Sequence, residues 1–291
     1  ENPSLRSKKR NSGIRKKYKL RNPSSIMHDS NGNGLLQTVE KSFEIIHLLK
    51  ETGPARLSKI ANELDMAESS THRHLSTLEQ LRYVSREGKK YQIGLRFARL
   101  GTAARTRHPG FSKVEAYVEK LAEQTDERAH FIVEDHGLGV YLYQCTGANA
   151  VNVGTNIGRQ VYLHSSAAGK TILSHYNRDR VNEILDTWGL PNNTAQTITD
   201  RETLFEELAA VRERGFAFNR GETVEGLHAV AVPVMPDEAI IGTLCVAGPS
   251  NRLQGEWFEE DLPQLILSAT NELELNLTYN RSDQPEDHLV E

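Results

Sequence analysis

The stretch "AESSTHRHLSTLEQLRYVSREGKKYQIG", residues 67–94, changes its periodicity halfway along. Thr71, Leu75 and Leu78 recur at helical spacing, so one apolar stripe runs down a helix. Beyond it, Tyr83 to Arg86 and Lys89 to Ile93 read as two strands joined at Glu87-Gly88. A helix running into a basic-tipped hairpin is the second half of a winged helix-turn-helix. The first half lies just upstream. Leu36, Val39, Phe43, Ile46 and Leu49 predict a helix ended by Gly53-Pro54, and a short second helix turns Ile60, Ala61 and Leu64 inward.

A recognition helix reads bases with exposed polar side chains near its N-terminal end. The candidates here are Ser69, Ser70, His72 and Arg73, and Arg73 has the fork geometry that grips a guanine edge. Arg86, Lys89 and Lys90 at the wing tip reach phosphates without reading sequence. His74 is expected to cover the hairpin. Glu68 and Glu87 lie close by and oppose phosphate, so a single copy should bind weakly and a pair much better.

The charge distribution supports this division. The net charge of −4 over 291 residues resolves into +8 for residues 1–27, −1 for 28–34, +5 for 35–109 and −16 for 110–291. A basic front joined to an acidic back suggests a polyanion-binding module attached to something that avoids polyanions. Residues 1–34 read as a disordered basic arm, with Met27 as an alternative natural start, and 281–291 as a disordered tail. Hydrophobic residues make up 37% of the chain, no apolar run is long enough to cross a membrane, and no secretory signal is expected. Cys145 and Cys245 lack metal-ligand spacing and read as core residues of a reducing cytoplasm.

Between the modules, "LRFARLGTAARTRH" (residues 95–108) reads as a linker helix packing through Leu95, Phe97, Ala98 and Leu100, with the linker extending to 109. Residues 110–280 alternate helix and strand. "RAHFIVED" and "VYLYQCTG" form one hairpin, and "LHAVAVPV" and "AIIGTLCVAG" a second. Between the hairpins a helix is expected to open on a capping box, Thr199 with Glu202, and to stop at Gly215. A last helix turns Leu262, Leu265, Ile266, Ala269 and Leu273 inward. Strands arriving as hairpins indicate an α+β domain with an antiparallel sheet.

"YLHSSAAGKTILSHY", residues 162–176, contains a Gly-Lys-Thr triplet. It is not a phosphate-binding loop, because the glycine required five residues before Gly169 is His164. Nor is it a serine-nucleophile motif, since Ala167 stands where S-x-x-K needs its serine.

These segments together resemble the IclR-type transcriptional regulators, from about Leu36 to Tyr279. "TVEKSFEIIHLL", "LSKIANELDMAESSTHRHLSTLEQLRYV" and "YQIGLRFARLG" are similar to that family's winged helix and linker. "IGRQVYLHSSAAGKTILSHY", "GFAFNRGETVEGLHAVAVPV" and "GTLCVAGP" are similar to its effector-domain signatures. The resemblance implies a repressor or activator that binds a double-stranded DNA operator. It also implies a GAF-like C-terminal domain that takes a small metabolite and assembly as a homodimer or homotetramer, without cofactor, metal or membrane. "SSAAGKT" becomes the start of a pocket-lining helix. The implied effector residues are Val153, Val161, Ala167, Ala168, Asn219, Leu227, Ala229, Cys245 and Ala247.

Where relatives that bind small carboxylic acids carry an aspartate, a cysteine and serines, this chain has Asn219, Ala229, Cys245 and Ala247. The ligand is therefore expected to be bulkier or more apolar than a two- or three-carbon keto acid. Glu222 and His164 are expected to be structural, His164 satisfying a backbone group. The residues show no catalytic triad, metal set or carboxylate pair, so an enzyme is a remote alternative. A constitutive DNA-binding protein whose C-terminal domain only oligomerises is the nearer one.

Overall fold

The structure, a computed structural model, describes residues 36–108, 110–148, 150 and 157–279. The expected arm over 1–34, the tail over 281–291 and the candidate Val153 lie outside the described residues. Two compact units divide between Gly101 and Thr102.

The first unit builds on α1 (Gln37–Thr52), α2 (Leu57–Glu63) and α3 (Glu68–Gln80), with strands β1 (Ala55–Arg56), β2 (Val84–Glu87) and β3 (Lys90–Ile93). The strands pair antiparallel in the order β1-β3-β2. β1 was not legible in the sequence, since two residues carry no period. Ile45, Leu49, Ile60, Leu75, Leu78, Val84 and Tyr91 form one core. Gly53, with φ +70°, ends α1 and returns its N–H to Leu49 O.

Two expectations need correction here. On α1 the buried positions are Ile45 and Leu49, whereas Leu36, Val39 and Phe43 are 73%, 50% and 53% exposed. Leu49 is inward as expected, Ile46 packs half-buried against the core and Ile45 joins them, while the first turns of α1 carry their apolar residues outward. The linker helix, α4 (Arg96–Arg105), buries none of its residues, and Leu95 and Leu100 are exposed. What holds its start is aromatic. Phe97 tilts on Tyr83 at 5.0 Å, the Arg96 guanidinium lies over the same ring, and Arg96 donates to Leu81 O at 2.8 Å.

The second unit is a six-stranded antiparallel sheet in the order β6-β5-β4-β9-β8-β7. Its strands are β4 (Arg128–Asp135), β5 (Leu138–Thr146), β6 (Gln160–Tyr162), β7 (Ala217–Arg220), β8 (Leu227–Val234) and β9 (Gly242–Pro249). Helices α5 (Phe111–Thr125) and α9 (Leu262–Tyr279) cover one face, joined to Phe131, Val230, Leu244 and Val246 in the main core. The other face receives α6 (Ala167–Ser174), with α7 (Arg178–Trp188) and α8 (Arg201–Arg214) closing around it. Period-two alternation sorts the strand residues between these two layers.

The cap of α8 differs from the expected box. Asp200, not Thr199, is the N-cap, and it accepts from both the N–H and the hydroxyl of Thr203. A carboxylate one residue further on is the stronger acceptor beside a helix N-terminus. Gly215 closes the helix in the left-handed region, as expected.

Gly169 answers the question raised by the Gly-Lys-Thr triplet. A Cβ there would stand 2.1 Å from Leu163 O and 2.3 Å from Leu163 Cα. The glycine lets α6 lie directly against the 3-10 turn Leu163–Ser165. Gly169→Ala is accordingly expected to destabilise the second unit by at least about 1–3 kcal/mol, since backbone cannot swing aside as a side chain can. Denaturant midpoints of the two proteins measure it, and equal midpoints would refute the close approach.

Candidate functional site

In the first unit, Thr71, Leu75 and Leu78 anchor α3 and turn the opposite side outward. Ser69, His72 and Arg73 are exposed there, and Ser70 is half-buried. His72 Nδ1 lies 3.5 Å from Ser76 Oγ one turn on. The side-chain hydrogen bond of His74 goes to α1, not to the hairpin. It is half-buried, with Nδ1 2.9 Å from Ser42 Oγ, and ties α3 to α1. On the wing, Arg86, Lys89 and Lys90 are all exposed. Arg86 donates from Nε to Gly88 O at 2.9 Å and lies over the Tyr91 ring, which stiffens the turn.

In the second unit, the α6-facing side of the sheet gathers most of the expected effector residues. Val161, Ala167, Ala168, Ala229 and Cys245 form one buried cluster with Ile132, Tyr141 and Ala231, and Ala247 packs against it. Ladder pairing explains why these distant residues meet. Ala229 stands opposite Asn219 on one side and Ala247 on the other, and Ala247 opposite Arg128. Directly paired residues share a face. Leu227 is on this face by alternation but at its end, opposite Pro249, half-buried and outside the cluster.

Asn219 is a correction. Its Nδ2 donates to Ser165 O (2.9 Å) and Thr223 Oγ1 (2.7 Å), while Oδ1 accepts from the N–H groups of Gly221 and Glu222. Both donors and both lone pairs are engaged within the protein, so Asn219 shapes the loop and has none left for a ligand.

Lys170 was missed altogether. It is 2% exposed, and its ammonium pairs with Glu222 Oε1 at 2.8 Å and Glu207 Oε1 at 3.3 Å, with Arg214 completing the network on Glu207. Burial pushes the Glu222 carboxyl above its ordinary value, and Lys170 opposes that shift. The partners lie 37 and 52 residues beyond Lys170, so no local spacing announces them. The Glu222 carbonyl also accepts from Thr197 Oγ1 at 2.7 Å.

The polar lining of the face comes from elsewhere. Arg128 and His130 alternate on β4 and are 4% and 2% exposed. Gln144 stands opposite His130 on β5. A register shift between Phe131 and Ile132 then brings Tyr141 onto the same face, its ring 4.9 Å from that of His130. The expectation of a bulkier or more apolar ligand rested on β7, β8 and β9; β4 and β5 add polar groups to the same face. One signal was available: two polar residues at i and i+2 in the otherwise apolar "RAHFIV". Burial, then the neighbouring Arg128 charge, lowers the His130 pKa to about 3. Burial alone pushes the Cys245 thiol up to about 12, which leaves it unreactive. His164 Nε2 lies 3.1 Å from Pro191 O, the expected backbone role, and burial lowers its pKa to about 4. Among the described residues no group of three or more His, Cys, Asp or Glu side chains is placed to hold a metal ion.

With this geometry in hand, three likenesses to known proteins are informative. A family model described as the IclR helix-turn-helix domain matches residues 38–88, and one described as the bacterial transcriptional regulator IclR C-terminal domain matches 103–273. A probable HTH-type transcriptional regulator, ArcR of Halobacterium salinarum, is 29% identical over 83% of this chain and 94% of its own. The crystal structure of Thermotoga maritima IclR superposes with a TM-score of 0.72 at 26% identity, covering 84% of this chain and 99% of that one. The inducer-binding domain of PobR from Acinetobacter, solved as a double mutant with 3-hydroxybenzoic acid, matches 56% of this chain and 96% of its own at 26% identity and TM-score 0.52.

The two buried histidines predict acid sensitivity. Both are neutral when folded and take up a proton near pH 6.5 when unfolded. Below 6.5 the unfolded chain therefore holds more protons, and stability present above that pH is lost as pH falls towards about 4 for His164 and about 3 for His130. Each should contribute a slope of up to about 1.4 kcal/mol per pH unit. Urea midpoints between about pH 6.5 and 5 test this. His130→Gln should remove its share of the slope, and an unchanged slope would show that the histidine titrates normally.

Proposed function

Because this chain belongs to the IclR family of transcriptional regulators, we propose that α3 reads the operator and that the α6-facing side of the sheet holds the effector that controls it. The chain is a DNA-binding transcriptional regulator with a C-terminal effector-binding domain, and its relatives are regulators, not enzymes. Arg73 takes a base edge, with Ser69, Ser70 and His72 on neighbouring bases or phosphates. Arg86, Lys89 and Lys90 hold the backbone beside it.

The observation that carries the effector reading is the convergence of Val161, Ala167, Ala168, Ala229, Cys245 and Ala247, from four separate segments, beneath α6. Small side chains in such a place give a ligand room against backbone. The chain acts as a dimer or a pair of dimers in the cytoplasm. The outward stripe of Leu36, Val39 and Phe43 supports that, since a soluble monomer rarely leaves such residues aligned in water. Effector binding shifts the spacing of paired recognition helices by the difference in its affinity for the two arrangements.

Gel-shift titration over a randomised operator library and a salt series tests the DNA half. Arg73→Ala should cost about 1–3 kcal/mol and relax preference at one base position. Lys89→Ala should weaken all sequences alike and lower the salt slope by about 1. Equal losses of specificity from both variants would contradict the division of roles.

A further inference from the structure

The three-stranded sheet of the first unit carries positive charge beyond its wing tip. β1 and β3 pair so that Arg56 stands directly opposite Lys90, while the neighbouring pair, Ala55 and Tyr91, is buried. Alternation along each strand therefore turns Arg56 and Lys90 together onto the outward face, and both are exposed. Like charges directly opposite each other destabilise a ladder, since their Cβ atoms stand only about 4.5–5.5 Å apart. Glu87, across from Lys90 on β2, offsets part of that repulsion from the far side. β1 is the edge of the sheet, and residues 52–62 contain Arg56 and Lys59 but no acid. Among the described residues, Arg56, Lys59 and Lys90 make no ion pair or side-chain hydrogen bond. Position along the strands matters as well. Lys90 opens β3 next to Lys89 in the wing turn, and the register puts Arg56 at that same end, where β1 runs into α2. Lys59 follows three residues on in the first turn of α2, a neighbour at helical spacing.

We propose that Arg56 is a DNA-backbone contact, and that the phosphate grip of the winged helix runs from Lys89 and Lys90 across the β1–β3 ladder to the start of α2. A duplex supplies there the anions that the chain itself does not. Phosphate over the ladder takes charge-assisted hydrogen bonds from the Arg56 guanidinium and relieves its repulsion with Lys90 at the same time. Arginine suits the task, because its planar fork spans two phosphate oxygens. Phosphate carries no sequence information, so the contact fixes how the protein sits and not which bases it prefers. The inference rests on the reading that the first unit binds duplex DNA.

The test titrates the full chain against two duplexes of unrelated sequence, by fluorescence anisotropy, from about 50 to about 200 mM salt. Arg56→Gln should weaken both duplexes alike and lower the slope of log affinity against log salt by about 1. Over that range the wild-type affinity should then fall about threefold more than the variant's. Arg56→Lys should restore the slope, because the charge stays. In urea without DNA, Arg56→Gln should hold or raise the midpoint, since it removes one of two facing cations, whereas losing a structural arginine would lower it. Wild-type affinity and slope in Arg56→Gln, while Lys89→Ala loses both, overturn the contact and leave the winged-helix reading standing. So does a loss confined to one duplex, or one accompanied by a lowered urea midpoint. Wild-type protein that binds neither duplex overturns both.

Discussion

A side chain that is absent governs the second unit. Gly169 lets the first turn of α6 rest on the carbonyl and Cα of Leu163, closer than any Cβ permits. From that contact several placements follow. Ser166 caps the helix on the Gly169 N–H, Thr171 donates to Ala231 O across to the sheet, and Lys170 is carried into the interior to meet Glu222 and Glu207. Ala167 and Ala168 are thereby laid over Ala229 and Cys245. A helix held a few ångströms further out would leave the lysine in water and open the face to solvent.

Burying Lys170 is expensive in isolation, and a pair of buried charges stabilises little beyond offsetting its own desolvation. Its consequence is specificity of arrangement. The network ties α6 to the loop after β7 and to α8. That is a fitting property for a domain whose ligand must alter something outside itself.

The two units treat charge in opposite ways. The first exposes cations on a helix and a turn, where water keeps them solvated until phosphate replaces it. The second, acidic overall, turns Arg128 inward and keeps His130 neutral beside it. Acid outside repels a polyanion, while the inward guanidinium is withdrawn from it.

The sequence by itself determined the elements and their class. The helical stripe of Thr71, Leu75 and Leu78 and the alternation after Leu81 specify a winged helix, and two apolar hairpins specify an antiparallel sheet. These features depend on periods of 3.6 and 2, which survive in a one-dimensional string. Family signatures located Val161, Ala167, Ala168, Ala229, Cys245 and Ala247 for the same reason, because each occupies a fixed place in a motif. Tertiary structure alone decided what those residues face. Asn219 reads as a ligand group until four internal partners are seen, and nothing near Lys170 in the chain announces the acids that meet it from residues 207 and 222. Likewise a one-residue shift in the β4–β5 register puts Tyr141 and Tyr143 on opposite faces, although they sit two apart in the chain. Polar satisfaction and strand register are settled by groups distant in sequence, and no local pattern records which of them will meet.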